Sequence, residues 1–110
     1  MTWEEARRVL PLAMMGGEAV VVERLRAGRA LLWLAEDAAG VTEITDAGRL
    51  RVWGAGGDMR QLFGLLPGVE AWAKAMGCSV VEVLGRKGWQ RALAPFGFCR
   101  EGGVMIKEIR

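Results

Sequence analysis

A chain of 110 residues, 52% hydrophobic and 25% charged, has the size and composition of one soluble globular domain, 1–110, able to bury roughly two-thirds of the surface its unfolded chain exposes. No apolar run approaches the roughly 18 residues that span a bilayer, and a net charge of +2, from 15 basic and 13 acidic residues, gives no basic face for nucleic acid or an anionic membrane. Histidine and tyrosine are absent, which excludes histidine-based triads and a phenolic general acid, and Cys78 and Cys99 stand in neither CxxC nor Cys/His spacing, so no metal site is expected.

The first residues, Thr2-Trp3-Glu4-Glu5-Ala6-Arg7-Arg8, place two acids before a short apolar patch. That is a poor secretory signal and reads as the first turns of a helix, so a cytoplasmic location is expected. Residues 3–15 and 18–27 read as two helices separated by Gly16-Gly17, with Glu18 favourably placed at the second N-terminus. Residues 29–35 are a nearly all-apolar run of strand length, consistent with a strand covered on both faces, and 36–40 are its turn. Residues 41–53 read as a hairpin. A three-residue loop at Asp46-Ala47-Gly48, with Gly48 left-handed, sets Ile44 opposite Leu50, Thr42 opposite Val52 and Glu43 opposite Arg51. A two-residue loop would mix polar and apolar partners on each face.

After a glycine-rich stretch, Asp58 is a good N-cap, and Met59, Leu62, Phe63, Leu66, Val69, Ala73 and Met76 recur at helical spacing. Pro67-Gly68 predicts a kink or a break in this helix, and Gly77 ends it. Residues 78–84 are a strand, Gly85 a turn and 87–94 a short helix; Gly97-Phe98 leads into a last strand, with Gly102-Gly103 a bulge or a tight turn before 104–109. The expected class is α/β (α+β): two N-terminal helices, then β-β-β-α-β-α-β in a mixed, mostly antiparallel sheet with helices on both faces.

The order of elements and residues 81–98 carry a family resemblance, beside which stands a literal motif match that a chain so rich in glycine gives by coincidence. Arg51-Val52-Trp53-Gly54-Ala55-Gly56 fits the Q/R-x-x-G-x-G/A pattern with which acetyltransferases hold coenzyme A, and residues 81–98, VEVLGRKGWQRALAPFGF, form a strand, a helix and a terminal Gly-Phe. The chain resembles the GNAT superfamily of acetyl-CoA-dependent N-acyltransferases, and through Gly57-Asp58, residues 69–78 and residues 85–93 it is similar to small acetyltransferase-like proteins of tailed phages and prophages. In that superfamily two neighbouring parallel strands splay apart around the pantetheine arm, and the pyrophosphate rests on amides at the following helix N-terminus. The resemblance implies strands at 49–54 and 78–84, an anion loop at 54–59, and acetyl-CoA held by Trp53, Gly54, Ala55, Gly56, Gly57, Asp58, Met59, Arg86 and Trp89.

The chain departs from the family at three places. The hairpin register puts Arg51 inside a strand rather than in the loop. Asp58 sets a carboxylate where a pyrophosphate needs positive potential. Counting back from Gly97-Phe98, the polar residue that opens the last helix falls on Arg86, and the tyrosine general acid falls on Leu93.

Each candidate has a structural reading beside the functional one. Gly54, Gly56 and Gly57 suit a phosphate cradle or a tight strand-to-helix connection. Glu43 and Glu82 are candidate bases toward an amine, or a partner of Arg51 and a solvent-facing carboxylate. Trp53 and Trp89 flank the cleft or belong to the core. Arg86, Lys87 and Arg91 form a solvated helix start or an anion site. Cys99 as an acyl acceptor has no visible activating neighbour. The reading is an acetyl-CoA-dependent N-acetyltransferase working by proximity and backbone oxyanion stabilisation; the alternative is a non-catalytic phage accessory or assembly protein. An amine substrate or a phage protein is the expected partner, and five tryptophans in so small a domain suggest a homodimer.

Overall fold

The computed structural model describes residues 1–84 and 87–109. Thr2 opens α1 (Trp3–Val9) with a reciprocal capping box. Its hydroxyl accepts from the Glu5 amide at 3.3 Å, while the Glu5 carboxylate accepts from the Thr2 amide at 3.2 Å. The bond from the Thr2 amide, then that from its hydroxyl, hold the Glu5 carboxyl below its ordinary pKa. The helix does not run on to residue 15. Pro11 forces Leu10 into an extended conformation, and Leu12–Met15 form one 3-10 turn closed by left-handed Gly16. α2 (Glu18–Arg26) follows.

β1 (Ala30–Leu34) and β2 (Ala38–Ile44) are joined by a turn shorter than the one expected at 36–40, the Ala35 amide donating to the Ala38 carbonyl at 2.9 Å. Ala38, Ala39 and Gly40 are already strand, pairing with Gly57, Gly56 and Ala55 of β3 (Leu50–Gly57). Small residues at these positions let the helix layers come close to the sheet, and both alanines are fully buried. The hairpin has the register that alternation predicts: Ile44 faces Leu50, Glu43 faces Arg51 and Thr42 faces Val52, with Gly48 at φ +75°.

Beyond Val52 the register slips. Val41 pairs with Gly54 while Thr42 pairs with Val52, so Trp53 is the extra residue of a β-bulge. The bulge switches the parity of β3. Leu50 and Val52 pack on one face with Val81 and Val83, whereas Trp53 and Gly54 both lie on the other, against Met15 and its neighbours.

α3 (Met59–Ala75) is capped by Asp58 and continues through Pro67 without a break. Leu62, Val69 and Ala73 are its buried positions. β4 (Val80–Leu84) runs parallel to β3; α4 (Lys87–Leu93) and a 3-10 turn at Ala94–Phe96 lead to β5 (Cys99–Glu101) and β6 (Val104–Glu108). Gly102-Gly103 is a tight turn between these two strands, with Gly102 at φ +62°. Among the described residues the sheet therefore has six strands rather than five, in the order β1-β2-β3-β4-β6-β5, antiparallel except for β3 and β4.

Helices cover both faces. Under α3 and α4 lies a core of Leu50, Val69, Ala73, Val81, Val83, Leu93, Phe98 and Met105; under α1 and α2 lies a second, of Ala6, Leu10, Met15, Val21, Ala39 and Val41. Among the described residues, no helix is long and apolar enough to cross a membrane.

Candidate functional site

Among the described residues β3 and β4 pair at three rungs: Leu50 with Val81, Arg51 with Glu82, and Val52 with Val83. The pairing ends where the Trp53 bulge begins. β3 continues to Gly57 with no described partner on its β4 side, so a groove opens between two parallel strands that have parted. Its volume is about 230 Å³. Residues 52–55 of β3 form one wall and Val83 and Leu84 of β4 the other; Trp89 of α4, Pro11 and Met14 of the α1–α2 connection, and Gly103 of the β5–β6 turn complete it. Ala55, Pro11 and Trp89 also line a second cleft of about 480 Å³, which runs past Gly56, Gly57 and Met59 to the start of α3.

Of the residues that the sequence assigns to the cofactor, Trp53, Gly54, Ala55, Gly56, Gly57, Met59 and Trp89 line these two clefts, whereas Asp58 lines neither. Trp53 is a wall rather than a plug, because its ring packs toward the α1–α2 core under the Arg24 guanidinium, 4.5 Å from the ring centroid. Arg86 lies outside the described residues. Pro11, Met14, Leu84 and Gly103 were missed. Their signals were present: Pro11 and Gly16-Gly17 bracket a connection rather than a helix, and Gly102-Gly103 marks a turn.

The stretch 54–59 is not a loop, since β3 extends to Gly57 and α3 starts at Met59. Its glycines have packing reasons of their own. A methyl on Gly56 would overlap the Val9 carbonyl oxygen and lie 2.7 Å from the Val9 carbonyl carbon; one on Gly54 would overlap the Met15 sulfur and lie 2.8 Å from its Cε. Gly57 combines φ +98° with a site where a side chain would meet the Asp37 carbonyl.

The helix end is partly capped. The Asp58 carboxylate accepts from the Gln61 amide at 3.0 Å, and the Asp58 amide donates to the Asp37 carbonyl at 2.8 Å. The Gln61 side chain accepts in turn from the Asp37 amide at 2.6 Å. Among the described residues the amides of Met59 and Arg60 have no hydrogen-bond partner, which leaves two of the helix's orphan donors unsatisfied.

Neither candidate base reaches the groove. Glu82 does not face solvent: its side chain is 8% exposed, with Oε1 2.8 Å from Arg51 Nε and Oε2 3.6 Å from Arg49 Nη1. Glu43 faces Arg51 across the hairpin, yet its shortest ion pair, 2.8 Å, is to Arg24 of α2, with Arg51 at 3.7 Å. These residues line a larger cleft, about 940 Å³, at the opposite end of the sheet. There, carboxylates and guanidiniums answer one another, which suits a structural network holding α2 on the sheet. Leu93, in the place the resemblance gives to a general acid, is 2% exposed and packed in the core under α4. Cys99 is exposed on the short strand β5 and does not line the groove. Among the described residues, no group of three or more His, Cys, Asp or Glu is placed to hold a metal ion.

No protein-family model matches the chain, and no curated protein matches it. Among solved structures, its fold is similar to the crystal structure of a "putative N-acetyltransferase from Lactobacillus plantarum", with a TM-score of 0.57 and 19% identity over 74% of this chain and 68% of that one. At that identity the likeness shows the fold: a GNAT-like mixed sheet with helices.

Proposed function

We propose that the chain holds the acyl-pantetheine arm of acetyl-CoA between β3 and β4 and transfers the acyl group to an amine. The observation that carries this reading is the parting of the two parallel strands at Trp53, which leaves the β3 backbone of residues 53–57 open to a groove. Alternate peptide groups of an unpaired strand edge offer donors and acceptors to an extended amide-bearing chain, as a neighbouring strand would. The apolar walls formed by Trp53, Leu84 and Trp89 suit the methylene segments.

The two ends of the site fit differently. The groove fits the arm. At the diphosphate end, Met59 and Arg60 supply free amides, and Asp58 sets a carboxylate against the same anion. The residues that would hold the group are therefore the β3 backbone, the two tryptophans and the first turn of α3. Acetyl-CoA supplies an acyl group on a thiolate leaving group. The protein's contribution is to fix the carbonyl against the β3 amides at the bulge and to exclude water.

A second reading is favoured by Leu93 and Asp58: a phage-type accessory or assembly protein that retains the fold without turnover. Titration with acetyl-CoA while following tryptophan fluorescence tests the first. Saturable quenching and amine-dependent release of free thiol are expected; no response at millimolar acetyl-CoA overturns it, and binding without thiol release supports the second.

A further inference from the structure

Resting on that reading, we infer that the acceptor is a weakly basic amine on an apolar body, an arylamine or aryl hydrazine, which enters the groove as the neutral free base. No described residue lining the groove or the cleft beside it is titratable. Glu43 and Glu82 lie at the other end of the sheet, engaged by Arg24, Arg49 and Arg51. With no histidine or tyrosine in the chain, no described side chain of the groove can take a proton from an ammonium group.

The walls also disfavour the charged form. An ammonium ion entering between Val83, Leu84, Trp53 and Trp89 gives up its hydration and gains no counter-charge. An alkylamine with a pKa near that of lysine, about 10.4, is neutral in only about one molecule in a thousand at pH 7.4. An amine whose conjugate acid has a pKa well below neutrality is almost wholly neutral there.

The mouth of the groove presents apolar surface for a ring to cover. Met14 is 73% exposed on one side and Leu84 48% on the other. In the transfer step the nitrogen lone pair forms the C–N bond as the C–S bond breaks. The sulfur leaves with that electron pair, and the proton lost from nitrogen passes through water to the thiolate.

The test compares a 4-alkylaniline with a benzylamine of the same size, using the full chain, acetyl-CoA and pH 6.5–9. The expected kcat/KM is at least 100-fold higher for the aniline at pH 7. It should be independent of pH, while that of the benzylamine rises about tenfold per pH unit until the pH nears that amine's own pKa. Met14→Glu, which places a carboxylate at the exposed mouth, should narrow the gap at least tenfold. A faster benzylamine at pH 7, or a benzylamine rate flat below that amine's own pKa, overturns the inference and leaves the cofactor groove standing. Acetyl-CoA binding without transfer to either amine does the same, and no acetyl-CoA binding removes both.

Discussion

Gly56→Ala adds one methyl to the chain at the place where β3 meets α1. That methyl would overlap the Val9 carbonyl oxygen and lie 2.7 Å from the Val9 carbon. Because the obstacle is backbone, no side-chain rotation relieves it, so the C-terminal end of α1 must lift from the sheet. Overpacking in a closed core costs about 1–3 kcal/mol, and a backbone collision belongs at the upper end, about 3 kcal/mol. For a domain of this length that is a loss of roughly 12 °C in Tm. The control is Gly64→Ala, the same chemical change on an exposed position inside α3 with nothing within 4 Å, where replacing a helical glycine stabilises by about 1 kcal/mol. Urea denaturation of both variants should therefore separate them by about 4 kcal/mol. A Gly56→Ala protein within about 0.5 kcal/mol of the parent would refute the packing of α1 on β3 and return the glycine row to a role in ligand approach alone.

Two further substitutions divide structure from chemistry. Asp58→Asn retains a cap for the Gln61 amide and removes the charge, so stability should change by less than about 0.5 kcal/mol. Acetyl-CoA affinity measured by calorimetry should meanwhile rise about two- to fivefold, the size of a charge effect at a helix end; weaker binding would show that the phosphate does not lie there. Glu82→Gln leaves Arg51 without its closest carboxylate in a buried setting and should cost about 2 kcal/mol in chemical denaturation, reduced from a fully buried pair because the arginines are partly exposed. Its acyl-transfer rate per folded molecule should be unchanged, and a 100-fold loss would make Glu82 a participant in the reaction.

Local rules made much of this fold legible. Alternation of Thr42, Glu43 and Ile44 against Leu50, Arg51 and Val52 fixed the hairpin register, and Asp58 marked the start of α3. What escaped depended on tertiary context. Ala38-Ala39-Gly40 carry no alternation because small residues look alike on either face, so their place in β2 follows only from β3 lying beside them. The bulge at Trp53 is invisible for a related reason: the residues that follow, Gly54-Ala55-Gly56-Gly57, have almost no side chain to reveal a switch of face. Glu82 looked solvent-facing in Val-Val-Glu-Val-Leu, and its burial rests on Arg51 and Arg49, which reach it only through the parallel pairing of β3 with β4.

The candidate site was legible as a place and not as a mechanism. Residues 53–57 and Met59 line a groove and the cleft beside it, and Asp58 caps the helix that follows. Arg51, the arginine of the Q/R-x-x-G-x-G/A match, belongs instead to a sheet ion pair with Glu82. The literal pattern and the site overlap because both require small residues after a strand, and the bulge rather than the arginine opens the groove.

The most direct measurement is calorimetric titration of acetyl-CoA into the parent protein and into Leu84→Trp, whose larger ring, on a wall residue that is 48% exposed, fills the groove without entering the core. Binding between the parted strands predicts saturable one-to-one heat for the parent at submillimolar acetyl-CoA and at least a tenfold loss of affinity in the variant at unchanged Tm. An absence of heat up to millimolar acetyl-CoA in the parent, or equal affinity in the two proteins, would contradict it.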